Sequence, residues 1–199
     1  MTQLNDDEIE LIAQNGVNVV HCPESNLKLA SGFCPVGKLQ QAGINLALGT
    51  DGAASNNDLD MWEEMRLAAF LQKVTRMDPE VLPATTVLKM ATIGGATAIG
   101  LGDDVGSLEK GKRADIIQVA FDDVHHVPTF DVISHLVYVT DEQDVASVVV
   151  DGALLMRDGE FLTLDTDRIA AEANALAARI QSALAARNTG AAAPAKDQE

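Results

Sequence analysis

The chain has 199 residues, 47% apolar, 22% charged and 4% aromatic, a composition of globular rather than disordered or fibrous proteins. A chain of this size can bury roughly 70% of the surface its unfolded form exposes, so a core without metal or disulfide staples is within reach. Against 14 Lys and Arg stand 30 Asp and Glu, a formal charge of −16 that repels phosphate backbones and anionic lipid headgroups and argues against nucleic-acid polymers and membranes as partners.

Asn5 is placed to cap a helix whose first turn carries Asp6, Asp7 and Glu8, with Ile9, Ile12 and Ala13 as its inward stripe and Asn15-Gly16 as its end. Residues 17–22 are β-branched and apolar, as in a strand covered on both faces, and a loop bearing Gly, Ser and Pro follows through Cys34. Pro35 opens a second helix that Gly43 closes, and residues 44–48 form another short apolar run ending in Gly49-Thr50-Asp51-Gly52. Helix, strand, helix, strand predicts parallel strands joined by crossover helices.

Residues 59–74 carry Trp62, Met65, Leu67, Ala69, Phe70 and Leu71 over a wide arc, the pattern of a helix buried on more than one side. Asp78-Pro79 stops it. Pro83 opens a further helix with Val87, Leu88 and Ala91 on one face, and Gly94-Gly95 interrupts the helical texture before Leu101. Residues 105–121 and 146–162 read as strands of a small antiparallel layer with Asp-Gly turns, Asp158-Gly159 the best of them, and residues 131–138 as a short helix between. The last helix, residues 165–187, sets Ile169, Ala173, Leu176, Ile180 and Leu184 on one docking stripe, before a disordered tail.

Two cysteines, Cys22 and Cys34, are too few for a disulfide scaffold, nothing at the start reads as a secretory leader, and no apolar run approaches the ~18 residues of a membrane span. The expectation is a soluble, cytoplasmic protein. No Gly-x-Ser-x-Gly turn, phosphate-cradling Gly-rich loop or Cys-x-x-Cys pair occurs.

Ligands of parallel sheets bind at the carboxyl ends of the strands. His21 closes the first strand and Asp51 follows the second, so both should face the same side of the sheet. Small residues around Asp51 leave room for a ligand, and its carboxylate can hold a metal or a proton; Asp51 and Ser55 read equally well as cap or turn residues. His21 reads first as a hydrogen-bonded core or rim residue. His125 and His126, adjacent on an extended segment, should point to opposite faces and lie at the surface, and His135 should pack.

The segments VVHCPESNLKLASGFCPV from Val19, ALGTDGAASNNDLDMWEEMRLAA from Ala47 and GSLEKGKRADII from Gly106 resemble the amidohydrolase superfamily. Within it they look most like the deaminases of 5'-methylthioadenosine and S-adenosylhomocysteine, with the chlorotriazine hydrolases close behind. The resemblance implies an α/β fold: the last two strands of a metal-dependent (β/α)8 TIM barrel over residues 1–101, part of a small β-sandwich over 102–164, a terminal helix over 165–188 and a tail over 189–199. It implies that Asp51 ligates zinc or another divalent ion and accepts a proton from the attacking water, and that His21 and Asn26 line the pocket beside it.

The family's His-x-His pair and its further histidines are absent, and residues 1–8 resemble the stretch after the sixth-strand histidine, which implies that Met1 is an internal methionine. Most metal ligands then lie outside this chain. Two readings follow. In one, the chain is the carboxyl-terminal part of a hydrolytic purine-nucleoside deaminase, inactive alone, with 8-oxoguanine deaminase or chlorotriazine hydrolase as the alternative enzymes. In the other it is a non-catalytic fragment or association module that forms homo-oligomers through exposed edges.

Overall fold

The computed structural model describes residues 1–190, with side-chain surroundings through residue 187. They form two compact units, Met1–Gly159 and a second from Glu160 onward. The first has the alternating α/β order the sequence predicts: α1 (Asp6–Gln14), β1 (Val19–His21), α2 (Pro23–Lys28), α3 (Val36–Gln41) and β2 (Leu46–Leu48). β1 and β2 are parallel, with Val19 opposite Leu46 and His21 opposite Leu48.

Local chemistry explains the first helix. The Asn5 side chain accepts from the Glu8 amide and the Glu8 carboxylate accepts from the Asn5 amide, so two otherwise orphaned donors are satisfied reciprocally. Lys38 of α3 pairs with Asp6 at 2.6 Å, and Val36 and Leu39 on the other face of α3 are wholly buried. All three residues of β2 are buried, but Val20 at the centre of β1 is 51% exposed. β1 is therefore not covered on both faces as its composition suggests: Val19 and His21 point to the packed face and Val20 to the open one.

The stretch expected to be an open loop through Cys34 contains α2. Helix α4 (Met61–Arg76) starts at Asp60, whose carboxylate accepts from the Trp62 and Glu63 amides, and it ends at Met77 in the left-handed region. Its buried arc holds Trp62, Glu64, Met65, Ala68, Ala69 and Gln72. α5 (Ala84–Ala91) follows Pro83 and buries Val87 and Met90. The break before α6 (Ile93–Ala98) falls at Thr92, not at the glycines. Gly94 lies inside α6, where a Cβ would collide with the Leu46 carbonyl, so its role is to let α6 approach β2.

Of the β-rich texture expected over residues 105–121, only β3 (Ile116–Val119) is a strand. It pairs antiparallel with β4 (Val145–Val150), which pairs antiparallel with β5 (Ala153–Arg157) through a tight Asp151-Gly152 turn with both φ values positive. Asp158-Gly159 after β5 has the same backbone character. Between β3 and β4 lies α7 (Val132–Tyr138), capped by Asp131 as its position suggests. α7 packs on α4 and α5: Val137 is fully buried, Tyr138 stacks on Phe70, and Arg66 donates to the Thr140 carbonyl at 2.8 Å.

The second unit holds a two-residue strand, β6 (Glu160–Phe161), and the helix α8 (Thr166–Gly190). Ile169, Leu176, Ile180 and Leu184, the expected docking stripe, are not covered within their own unit. The helix runs to Gly190, slightly past its expected end, and the rest of the predicted tail lies outside the described residues. Among the described residues no helix is long and apolar enough to cross a membrane.

Candidate functional site

The carboxyl ends of β1 and β2 lie side by side. The Gly49 amide donates to the His21 carbonyl at 3.0 Å, and a Cβ at Gly49 would press on the Val20 side chain. Two residues on, Asp51 takes a left-handed φ of 61°, a conformation Asp tolerates better than most residues. Its Oδ1 accepts from the Gly52 amide and its Oδ2 from the Ser25 hydroxyl, each at 2.8 Å. α2, a short helix where the sequence predicts a loop, places Ser25 there. The hydroxyls of Ser55 and Ser25 and the Gly52 amide hold the exposed Asp51 carboxyl below the usual carboxylate range. It is an anion at neutral pH, and lone pairs remain on both oxygens.

Behind this loop, Glu64 of α4 is fully buried. Its carboxylate accepts from the Asn56 side-chain amide at 2.8 Å and from the Glu24 backbone amide at 3.2 Å, yet burial pushes its pKa up to about 7. Asn56, also buried, accepts the Asp58 and Leu59 amides and so fixes the loop between Asp51 and α4. Burial raises the Cys22 thiol, with the neighbouring charges of Glu64 and Asp51 acting in the same direction. Glu24, Asp58 and Glu63 bring carboxylate oxygens within 4.8 Å of one another.

His21 is 3% exposed, and burial lowers its pKa to about 4, so the imidazole is neutral at physiological pH. Neither of its nitrogens has a hydrogen-bond partner among the described residues, unlike the satisfied rim residue the sequence suggests. His21 and Asn26 line one narrow crevice with Phe33, Cys34 and Gln72, whereas Asp51 is bound by Ser25. The sequence carries no sign of Ser25. It does carry one of Glu64, which stands four residues before Ala68 and eight before Gln72 on the buried arc of α4.

His125 is exposed, as the sequence suggests, but His126 is not, and the segment is not extended. A single 3-10 turn, Val124–His126, carries both, with His126 fully buried and stacked near Phe121 and His135. Both imidazoles converge on Asp144. A turn of this kind rotates successive side chains by about 120° rather than the 180° of a strand, which allows neighbours to meet one partner.

Asp51 fits a divalent cation as one carboxylate ligand: it is ionised and accessible. The other ligands of such a centre are not gathered around it by the described residues.

Residues 1–155 match the amidohydrolase family. A 5-methylthioadenosine/S-adenosylhomocysteine deaminase of Syntrophobacter fumaroxidans is 50% identical over 83% of this chain and 38% of its own length. One from Desulforudis audaxviator is 49% identical over 89% of this chain and 41% of its own. Among solved structures, an adenosine deaminase from Xanthomonas campestris with bound zinc superposes with a TM-score of 0.89 and 48% identity over 92% of this chain and 42% of that one. The atrazine chlorohydrolase of Arthrobacter aurescens complexed with zinc gives a TM-score of 0.80 and 32% identity over 88% and 39%. The chain thus spans about two-fifths of the length of the relatives it matches.

Proposed function

Since the chain belongs to the amidohydrolase family, we propose that it is the carboxyl-terminal part of a hydrolytic deaminase that releases ammonia from a purine nucleoside such as 5'-methylthioadenosine or S-adenosylhomocysteine. The observation that carries the reading is Asp51: an ionised carboxylate just beyond the end of a buried parallel strand, gripped by Ser25 and Gly52. Relatives near 50% identity favour a nucleoside over the triazine of the 32% identical hydrolase. In this reading β1 and β2 are the last two strands of a (β/α)8 TIM barrel, residues 102–164 belong to a β-sandwich, and the enzyme works in the cytoplasm.

Asp51 would hold a zinc-class divalent ion together with ligands from outside this chain. Bound there, such an ion supplies Lewis-acid activation of water at neutral pH. Asp51 takes a proton from the attacking water, while Ser25 and Gly52 fix the direction of its lone pairs and keep it ionised. Oxygen adds to the ring carbon bearing the amino group, the carbon–nitrogen bond breaks, and the transferred proton departs with ammonia. His21 and Asn26 shape the wall of the neighbouring crevice, His21 as a buried neutral imidazole.

Alone, the 199 residues contribute one carboxylate to this centre and turn nothing over. Mixing the chain with the preceding segment of a full-length relative and zinc should restore ammonia release from 5'-methylthioadenosine. Release no greater than from either part alone would contradict the reading. Self-association is the second reading, and the exposed Val20 at the centre of β1 supports it. Sedimentation above the monomer mass is expected, and a strict monomer would argue against it.

A further inference from the structure

The geometry points to a second metal site, formed by His125, His126 and Asp144, that takes a single zinc-class divalent cation. Asp144 Oδ2 lies 3.2 Å from His126 Nε2 and 3.3 Å from His125 Nε2, and Oδ1 lies 3.1 Å from His125 Nε2. Tetrahedral zinc with bonds of about 2.0–2.1 Å separates its ligand atoms by roughly 3.3 Å; the separations from each imidazole to Asp144 already match that edge length, and the ligand atoms of all three side chains lie within 4.8 Å of one another. Two imidazoles and one carboxylate suit zinc or its neighbours better than magnesium or calcium.

The burial of His126 is the independent observation. Its side chain is fully buried, and Nε2, though 3.2 Å from Asp144, is off the line that an N–H···O bond needs; neither ring nitrogen has a hydrogen-bond partner among the described residues. An orphaned buried nitrogen costs on folding, and a metal ion on the lone pair of Nε2 removes that cost. His125 is partly exposed, which leaves an open side for water as the fourth ligand. Asp144 is held in place by the Asp141 amide it accepts at 2.9 Å, an outer contact that orients the ligand. The ion would clip the turn before α7 to the turn that opens β4.

Metal-free chain titrated with zinc, and separately with cobalt(II) followed by its visible absorption, should take up one equivalent of either ion. His125→Gln, a change at a partly exposed side chain, and Asp144→Asn should each weaken uptake at least ~100-fold with circular dichroism unchanged. Asp51→Asn should leave it intact. No uptake by the folded chain, or uptake unaltered in His125→Gln, would overturn the proposal. Uptake lost only in Asp51→Asn would also overturn it, by placing the ion at the deaminase loop.

Discussion

Ser25 and Asp51 are joined by a 2.8 Å hydrogen bond that ties the helix following β1 to the loop following β2. The bond makes two successive strand ends into one site. With the Ser55 hydroxyl it also lowers the pKa of the carboxyl, since a donor aimed at an ionised group stabilises that form.

Ser25→Ala removes one of the donors that lower the Asp51 pKa, so that pKa should rise while the fold persists. Carbon-detected NMR titration of the Asp51 carboxyl reads the shift directly. In the reassembled enzyme kcat/KM should fall by roughly tenfold, the usual weight of one hydrogen bond to a charged group. An unchanged titration would show that Ser25 is not a positioning residue.

Glu64 predicts a pH dependence of stability. Its folded pKa of about 7 lies above the ordinary glutamate value of 4.5, so the folded state binds the proton more tightly than the unfolded chain. Stability attributable to this group is therefore highest below pH 4.5 and declines as pH rises toward 7, by at most about 3 kcal/mol. Urea unfolding across that window should show the decline in the native chain and its absence in Glu64→Gln.

Gly94→Ala should destabilise the chain by about 1–3 kcal/mol, because the added methyl meets the Leu46 carbonyl rather than a yielding side chain. At Gly95 the nearest atom to an added Cβ is 3.9 Å away, and alanine there should be neutral or stabilising by up to ~1 kcal/mol. Equal urea midpoints for the two variants would contradict the close approach of α6 to β2.

The alternation of helix and strand was legible because short apolar runs end in Gly and polar residues, and α1 because Asn5 and Glu8 stand three apart. What escaped depends on contacts between distant segments. α2 looks like a loop from its Pro and Ser, yet its Glu24 amide is bonded to Glu64, forty positions away. The pair Glu63-Glu64 resembles a solvated face, and only the period of α4 distinguishes the buried member. The sequence puts His126 at the surface because its burial rests on a 3-10 turn that no run of apolar residues announces. Asp51 was legible as a candidate, but not the hydroxyl that grips it.

Zinc content and ammonia release of the reassembled enzyme carrying Asp51→Asn test the central claim most directly. Zinc bound at the reaction centre should fall well below one per enzyme, and turnover of 5'-methylthioadenosine should drop at least ~100-fold. Full zinc occupancy of that centre together with native turnover would contradict it.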